Sequence, residues 1–309
     1  MSRVMEREII TFENEADWLD MRLRDITSTD CAALFGQSPY KTIFSVYHTK
    51  KRALMNKFKE NEYIKWGQRL ERIIANGLAE EHGFKIEPMD EYIRIPELRI
   101  GSSFDFRIGK DTVFEIKNVS DRVFRSQWVF DKETALAPPH IELQVQHQLA
   151  LSGYSSAYIG VLAGGNTSYL LRRDRNEEVI EEIFKRTAEF WRAFDAGEEP
   201  EPDLFGDHKS ISELYSYAEP GTTGLSDDHL DSLVRRYREV SKQISGLDAE
   251  KKRLKSEMLM KIGSTERIDG GLFTISAATM PEAEVSYTRK PYRNFRINYR
   301  KEYDSLEDV

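Results

Sequence analysis

Two acids and a lysine stand among apolar residues in the stretch SFDFRIGKDTVFEIKN, residues 103–118. Phe104, Phe106, Ile108, Val113, Phe114 and Ile116 have the character of a core, whereas Asp105, Glu115 and Lys117 are costly to bury unless something binds them. Gly109-Lys110-Asp111 suits a short hairpin loop. Centring the turn on Lys110 pairs Ile108 with Thr112, and therefore Asp105 with Glu115. Lys117 then projects on the Glu115 face, because side chains alternate along a strand. The opposite face would carry Phe104, Phe106, Phe114 and Ile116. Facing carboxylates repel unless a cation lies between them, and an all-oxygen ligand set suits Mg²⁺ or Mn²⁺ rather than zinc. A lysine beside such an ion can orient or help deprotonate water, or stabilise charge developing at phosphorus. Taken alone, the stretch also fits a surface hairpin with a cross-strand Lys–Glu pair.

The elements that must position this hairpin can be read from apolar spacing. It predicts helices over 12–24, 29–36, 42–55 and 62–81, the last stopped by Gly83. β-type runs follow at 84–87, 91–95, 103–108 and 112–118, punctuated by Pro88, Pro96, Gly101 and Gly109. Residues 121–136 read as helical up to Pro138-Pro139. A helix at 140–153, strands in AYIGVLAG and TSYLLRR, and a helix at 176–196 complete the pattern. The order implies an α/β core: a mixed central sheet flanked by helices. We assign residues 1–208 to this domain and 209–309 to an accessory region.

That accessory region opens on a Ser-, Gly- and acid-rich linker between Phe205 and Asp228. Leu230, Leu233, Tyr237, Val240, Ile244, Leu247, Leu254 and Met258 then recur at spacings of three and four, interrupted by Lys251. This is a heptad seam, suited equally to a coiled coil and to a helix packed on its own domain. Gly270-Gly271 with the runs LFTISAA and AEVSYT predicts a small hairpin.

Composition narrows the class. The chain has 309 residues and a formal net charge of −8, which argues against a surface uniformly coated for nucleic acid but allows a local basic groove. Basic clusters occur in HTKKR at 48–52, LRRDR at 171–175 and the aromatic-basic run from Tyr287 to Tyr303. No apolar run approaches the ~18–20 residues that span a bilayer, and the N-terminus lacks the apolar segment of a signal peptide. Cys31 is the only cysteine, which excludes disulfide frameworks and four-cysteine zinc or iron–sulfur sites. A soluble protein of the reducing cytoplasm is the expectation.

Other polar residues gather around the hairpin. Glu71 lies in WGQRLE within the 62–81 helix, where a solvated glutamate would be ordinary. In LQVQHQLALSGY, Gln144 and Gln148 stand one helical turn apart and Gln146 on another face. WLDMRLRDITSTD places Arg22, Arg24, Ser28 and Thr29 just before a helix. Such an arrangement suits a phosphate, and an N-cap role for Ser28, Thr29 or Asp30 is as natural. The histidines form no metal-spaced set; His147 alone is near the site, as a helix-face residue and candidate DNA contact.

The D-x₉-E-x-K spacing of Asp105, Glu115 and Lys117 is that of the PD-(D/E)XK nuclease superfamily, with Phe104 where the motif has proline. Together with Trp18, Arg22, Ile26, Thr27 and Thr29; Trp66, Gly67 and Glu71; Ser103 and Asp105; and Gln144 and Gln146, it resembles the lambda-exonuclease or YqaJ-type family of phage recombination nucleases. The resemblance covers roughly residues 15–200. It implies a PD-(D/E)XK core and Mg²⁺-dependent 5′-to-3′ digestion of duplex DNA, releasing 5′-mononucleotides and leaving 3′ single strands for recombination by strand annealing. Asp105, Glu115 and the Ile116 backbone carbonyl would hold the metal, and Glu71 a second ion or its water shell. Mn²⁺ would substitute, with two ions per site. Lys117 would act on the attacking water. Arg22, Thr29, Ser103 and Gln144 would bind the 5′-phosphate, with Arg24, Ser28 and His147 as candidate DNA contacts. A homotrimeric ring around DNA ends, a single-strand-annealing partner and a phage or prophage origin in a bacterial cell are further implications. An endonuclease of the same superfamily, acting on duplex or branched DNA, would need no phosphate pocket. A non-catalytic DNA-binding module would need no complete Asp-Glu-Lys set.

Overall fold

The structure, a computed structural model, describes residues 5–52, 62–130, 135–288 and 292–299. The chain divides into two compact units, Met1–Leu214 and Tyr215–Val309.

In the first unit, β1 (Glu8–Ile10) leads to α1 (Glu15–Arg24). The Asn14 side chain accepts the Asp17 N–H at the start of α1, and Arg22 and Arg24 occupy its last turn, where cations suit the helix dipole. Next come β2 (Ile26–Thr27) and α2 (Ser28–Leu34). α3 (Ile43–Lys50) starts at Thr42, which accepts the Ser45 N–H, and α4 spans Glu62–His82. The expected continuation of α3 to residue 55 falls on residues 53–55, outside the described residues. β3 (Ile86–Pro88), β4 (Tyr92–Ile95), β5 (Ile100–Ser103), β6 (Phe106–Ile108) and β7 (Thr112–Val119) follow.

Helix α5 (Asp121–Gln127) is shorter than expected. Trp128 turns inward to stack on Phe124, and the chain then forms the strand pair β8 (Val129–Phe130) and β9 (Ala135–Leu136). The β-prone Trp-Val-Phe run overrides the helical expectation for 121–136; residues 131–134 lie outside the described residues. α6 (Pro139–Ser152), β10 (Ser156–Ala163), β11 (Thr167–Asp174), α7 (Glu177–Ala196) and α8 (His208–Leu214) complete the unit.

The architecture is mixed α/β, as expected, but with two principal sheets in place of one. The larger has the order β11-β10-β7-β6-β3, with β7 and β10 parallel and the other pairs antiparallel. The second has the order β1-β4-β5-β2. A bend at Phe104–Asp105 separates them, so the single strand expected over 103–108 is the end of β5 in one sheet and the whole of β6 in the other. The bend breaks the alternation of side chains. Phe106, Phe114 and Ile116 pack against Ile74, Ala75 and Leu78 of α4, as one face should. Phe104 instead joins Val113, Leu149, Ile159 and Val161 in the core on the α6 side, which corrects its expected place beside Phe106.

Strand β7 is thus walled on both faces. On the α4 side the fit depends on Gly160, the β10 partner of Ile116. A Cβ there would lie 2.7 Å from Leu78 and 2.8 Å from Phe114, so only glycine allows α4 this close to the sheet.

In the second unit, α9 (Asp228–Ile262) starts at Asp227, whose side chain accepts the Leu230 N–H, and runs 35 residues. A hairpin follows, of β12 (Arg267–Asp269) and β13 (Thr274–Ser276), turning over Gly270-Gly271 with Gly271 at φ +78°. This corrects the expected pairing of LFTISAA with AEVSYT: the loop is Gly270–Phe273, so TIS of the first run pairs back with Arg267–Asp269 ahead of the glycines. Among the described residues no helix is long and apolar enough to cross a membrane.

Candidate active site

The β6–β7 ladder has the expected register, Ile108 opposite Thr112 and Phe106 opposite Phe114. One step further would set Asp105 opposite Glu115, but the bend takes Asp105 out of the ladder. Its Oδ2 instead accepts the Ile116 backbone N–H at 2.8 Å. In a strand the N–H and C=O of one residue face the same edge, so the Ile116 carbonyl faces the Asp105 side as well.

Glu115 is 3% exposed and lies on the β7 face covered by α6. Its Oε1 accepts Lys117 Nζ at 2.5 Å and Gln144 Nε2 at 2.6 Å, and its Oε2 accepts Gln148 Nε2 at 2.7 Å. Glu71, half-buried on α4, is close enough for its charge to act on the group. Burial, then the Glu115 charge, pushes the Asp105 carboxyl well above its ordinary range, against the pull of Lys117. Burial and Glu115 raise Glu71 likewise, again opposed by Lys117. Burial works against the Lys117 ammonium, but Glu115 and Asp105 outweigh it and hold it above its usual value. Three acids therefore share one lysine, and the raised acids mark a place where added positive charge would be stabilising.

That surplus, with carboxylate and carbonyl oxygens as the donors, fits a hard divalent cation. Asp105, Glu115, the Ile116 carbonyl and Glu71 are the groups that could hold one. Among the described residues no three His, Cys, Asp or Glu side chains form a ready-made metal cage, so backbone and water oxygens would complete the coordination, as Mg²⁺ commonly requires.

A second group lies where α1 ends and α2 begins. Arg22 Nη2 donates to Thr29 Oγ1 at 3.2 Å, and its guanidinium lies 4.6 Å from the centre of the Trp18 ring. Trp18 Nε1 donates to Ser103 Oγ at 2.9 Å. Arg22, Thr29 and Ser103 are thus gathered around Trp18. Gln144 is not with them; its amide is committed to Glu115. The two groups meet at the bend, since Ser103 belongs to one and Asp105 to the other.

Several expected residues lie elsewhere. His147 is fully buried with Nε2 3.3 Å from the Ile26 carbonyl, and burial pulls its imidazole down to about 4. Ser28 is buried against the Ser102 hydroxyl at 2.9 Å. Neither side chain reaches a surface that DNA could touch, which corrects the contacts expected of them: both positions face the core. Arg24 is exposed and paired with Asp20 at 2.7 Å. Gln146 donates to the Asp174 carbonyl and accepts the Asn176 N–H, both at 2.9 Å, tying α6 to the β11–α7 junction. Of the aromatic-basic run, residues 289–291 and 300–303 lie outside the described residues.

The sequence reading missed the support beneath the Arg22–Thr29 group. Lys50 Nζ donates to Arg22 O at 2.7 Å, Asp25 O at 2.6 Å and Asp30 Oδ2 at 2.7 Å, and its side chain is 3% exposed. All three ammonium hydrogens are used. Burial pushes the Asp30 carboxyl up, but Lys41 and Lys50 outweigh it and hold it well below the usual carboxylate range. Asp25, also buried, takes both arms of Arg94 at 2.8 Å and the Tyr92 hydroxyl at 3.2 Å. Within HTKKR nothing distinguishes Lys50 from its surface neighbours.

The chain is similar to several known proteins. The chain is 28% identical over 259 residues to the uncharacterized protein YqaJ of Bacillus subtilis (strain 168), covering 81% of this chain and 79% of that protein. Among solved structures, the alkaline exonuclease LHK-Exo from Laribacter hongkongensis aligns over 63% of this chain and 98% of its own, at 17% identity and a TM-score of 0.46. A phage related exonuclease from Haemophilus somnus 129PT aligns over 60% of this chain and 89% of its own, at 14% identity and a TM-score of 0.40. The matching family is described as YqaJ-like viral recombinase domain, and its match spans residues 17–155. Every carboxylate, lysine, arginine and hydroxyl of the two groups falls inside that span, so it is the part of the chain holding both groups that is similar to the YqaJ-like viral recombinase domain.

Proposed function

We propose that this chain is an Mg²⁺-dependent exonuclease that digests duplex DNA from its 5′ end and leaves a 3′ single strand for recombination by annealing. The observation that carries the reading is the meeting of the two groups at one bend, with Ser103 of the arginine–hydroxyl group two residues from Asp105 of the carboxylate–lysine group.

Asp105, Glu115 and the Ile116 carbonyl would hold a divalent ion, with Glu71 serving a second ion or its water. Bound there, such an ion supplies Lewis-acid charge at phosphorus and acidifies water, and Mn²⁺ could substitute. The remaining work belongs to the chain. Arg22 offers a guanidinium, and Thr29 and Ser103 offer hydroxyls, to a terminal 5′-phosphate. Anchoring that end places the next phosphodiester over the carboxylates, which is catalysis by positioning and sets a step of one nucleotide. Lys117 orients the attacking water and offsets charge building on the phosphoryl oxygens. Breaking the P–O3′ bond releases a 5′-mononucleotide and leaves a new 5′-phosphate on the shortened strand, ready for the same pocket. Gln144 and Gln148 hold the Glu115 carboxylate in place.

A homotrimeric ring threaded by DNA would reconcile the net charge of −8 with DNA binding, because basic residues would need only to line the channel. A single-strand-annealing protein is the partner this product calls for, and the bacterial cytoplasm its setting.

A time course on end-labelled linear duplex with Mg²⁺ tests the reading. The expected result is mononucleotide release from the 5′ end, faster with a 5′-phosphate than with a 5′-hydroxyl. Equal rates on both ends, together with cutting of a closed circle, would mark an endonuclease instead.

A further inference from the structure

The apolar stripe of α9 plays no part in the proposed reaction. Its side chains recur at three and four along 35 residues, and solvent reaches 55% of Ile244, 66% of Leu247 and 43% of Leu254. A long helix with an apolar stripe and polar flanks is built to be covered by another helix.

We propose that α9 pairs with α9 of a second copy of this chain, antiparallel, as a two-stranded coiled coil. The charges along the helix select both partner and direction. Lys251 takes the core position between Leu247 and Leu254. In a parallel in-register pair it would face Lys251 of the second copy, two like charges across a seam. Reversing one helix at full overlap sets Ile244 across from Leu247, Tyr237 across from Leu254, and Lys251 across from Val240. The Lys251 stem then lies on apolar surface while its ammonium reaches water.

The same register sets Arg236 beside Glu257 and Gln243 beside Glu250, each occurring twice by the two-fold symmetry. Among the described residues, Arg236 and Glu257 are engaged within the helix in exposed pairs, Arg236–Glu239 at 2.9 Å and Arg253–Glu257. Exposed pairs of this kind contribute little and can be exchanged. Phe295 meets the Tyr237 ring edge-on at 6.4 Å but leaves Tyr237 56% exposed, so that seam position stays available. This complementarity of the helix to its own reverse points to a second copy over an unrelated partner.

Cys31 is the only cysteine and is fully buried, so introduced cysteines report without interference. Full-length Tyr237→Cys and Leu254→Cys chains, co-expressed and mildly oxidised, are expected to form a disulfide joining one of each, with no dimer from Tyr237→Cys alone, because in the antiparallel register Tyr237 and its copy lie about 25 Å apart along the helix. A dimer of Tyr237→Cys with itself would overturn the direction, and no covalent dimer at all would overturn the pairing. Leu247→Glu, a change at an exposed position, is expected to halve the mass measured by light scattering, whatever number of nuclease units the assembly holds. Nuclease activity is expected to remain, since the seam lies outside residues 17–155. An unchanged mass would overturn the proposal and leave the nuclease reading untouched.

Discussion

Gln148 Nε2 donates to two acceptors at once, Glu115 Oε2 at 2.7 Å and the Ser103 carbonyl at 3.3 Å. The side chain is 1% exposed, and its own carbonyl oxygen has no hydrogen-bond partner among the described residues. A buried, unpaired carbonyl is costly. The reverse amide orientation would aim that oxygen at the Glu115 carboxylate, which is worse. Gln148 therefore ties the strand of the carboxylates to the strand of the arginine–hydroxyl group, in one orientation.

Gln148→Met should loosen that tie without emptying the space. Residues that hold a metal-site ligand typically matter by about 10–100-fold in metal affinity or activity. We expect the Mg²⁺ concentration for half-maximal digestion to rise by about that factor, with DNA affinity little changed. A Mg²⁺ titration identical to wild type would show that Glu115 needs no such support.

Lys117→Ala should remove the group proposed to orient water while leaving the acids in place. General acid–base groups contribute typically 10²–10⁴-fold, so digestion should slow by about that factor. DNA binding, followed by gel shift in Ca²⁺, should persist. Wild-type digestion by this variant would end the nuclease reading.

Arg22→Ala leaves Thr29 and Ser103 without a cation. The wild-type preference for 5′-phosphate over 5′-hydroxyl ends should collapse toward unity, through slower cutting of phosphorylated ends alone. An unchanged ratio would move the phosphate pocket elsewhere.

Lys50→Met tests the support under that pocket. It strips a hydrogen bond from buried Asp30 and leaves the Arg22 and Asp25 carbonyls short of a donor. Breaking a buried ion pair costs about 3–5 kcal/mol, partly offset here because Lys41 still holds Asp30 at 2.5 Å. Denaturant unfolding should show a loss of about 3 kcal/mol; a loss below 1 kcal/mol would contradict the role.

His147 supplies a pH dependence. Its imidazole is lowered from 6.5 to about 4 because burial disfavours the cation. Below pH 6.5 the unfolded chain takes up a proton that the folded chain refuses, so stability falls as pH drops from 6.5 toward 4 and levels off beneath. The contribution is on the order of 3 kcal/mol. His147→Gln should flatten that part of the stability–pH curve, and an unchanged slope would show that other groups set it.

Much of the site was legible because it depends on local periodicity. The hairpin turn set the β6–β7 register, and the helical spacing put Gln144 and Gln148 on one face and Gln146 on another. The bend at Phe104–Asp105 was not legible. It follows from β5 joining β1, β2 and β4 while β6 joins β7 and β3, a choice made by partners far along the chain. Gln144 was expected with Arg22, Thr29 and Ser103 because a motif records which residues recur and not which atoms they meet. Lys50 was hidden for the reverse reason: its burial comes from α1 and α2 closing over it, and a lysine in HTKKR carries no mark of that.

Gly160 gives the site a property that no acidic or basic residue supplies. Leu78 and Glu71 ride on the same rigid helix, about two turns apart, and the bare Cα at 160 sets how deep that helix sinks. The missing methyl group acts as a shim. Adding one carbon there would lift the third carboxylate away from the other two, so the carboxylate–lysine group would register a packing change as a drop in local charge density.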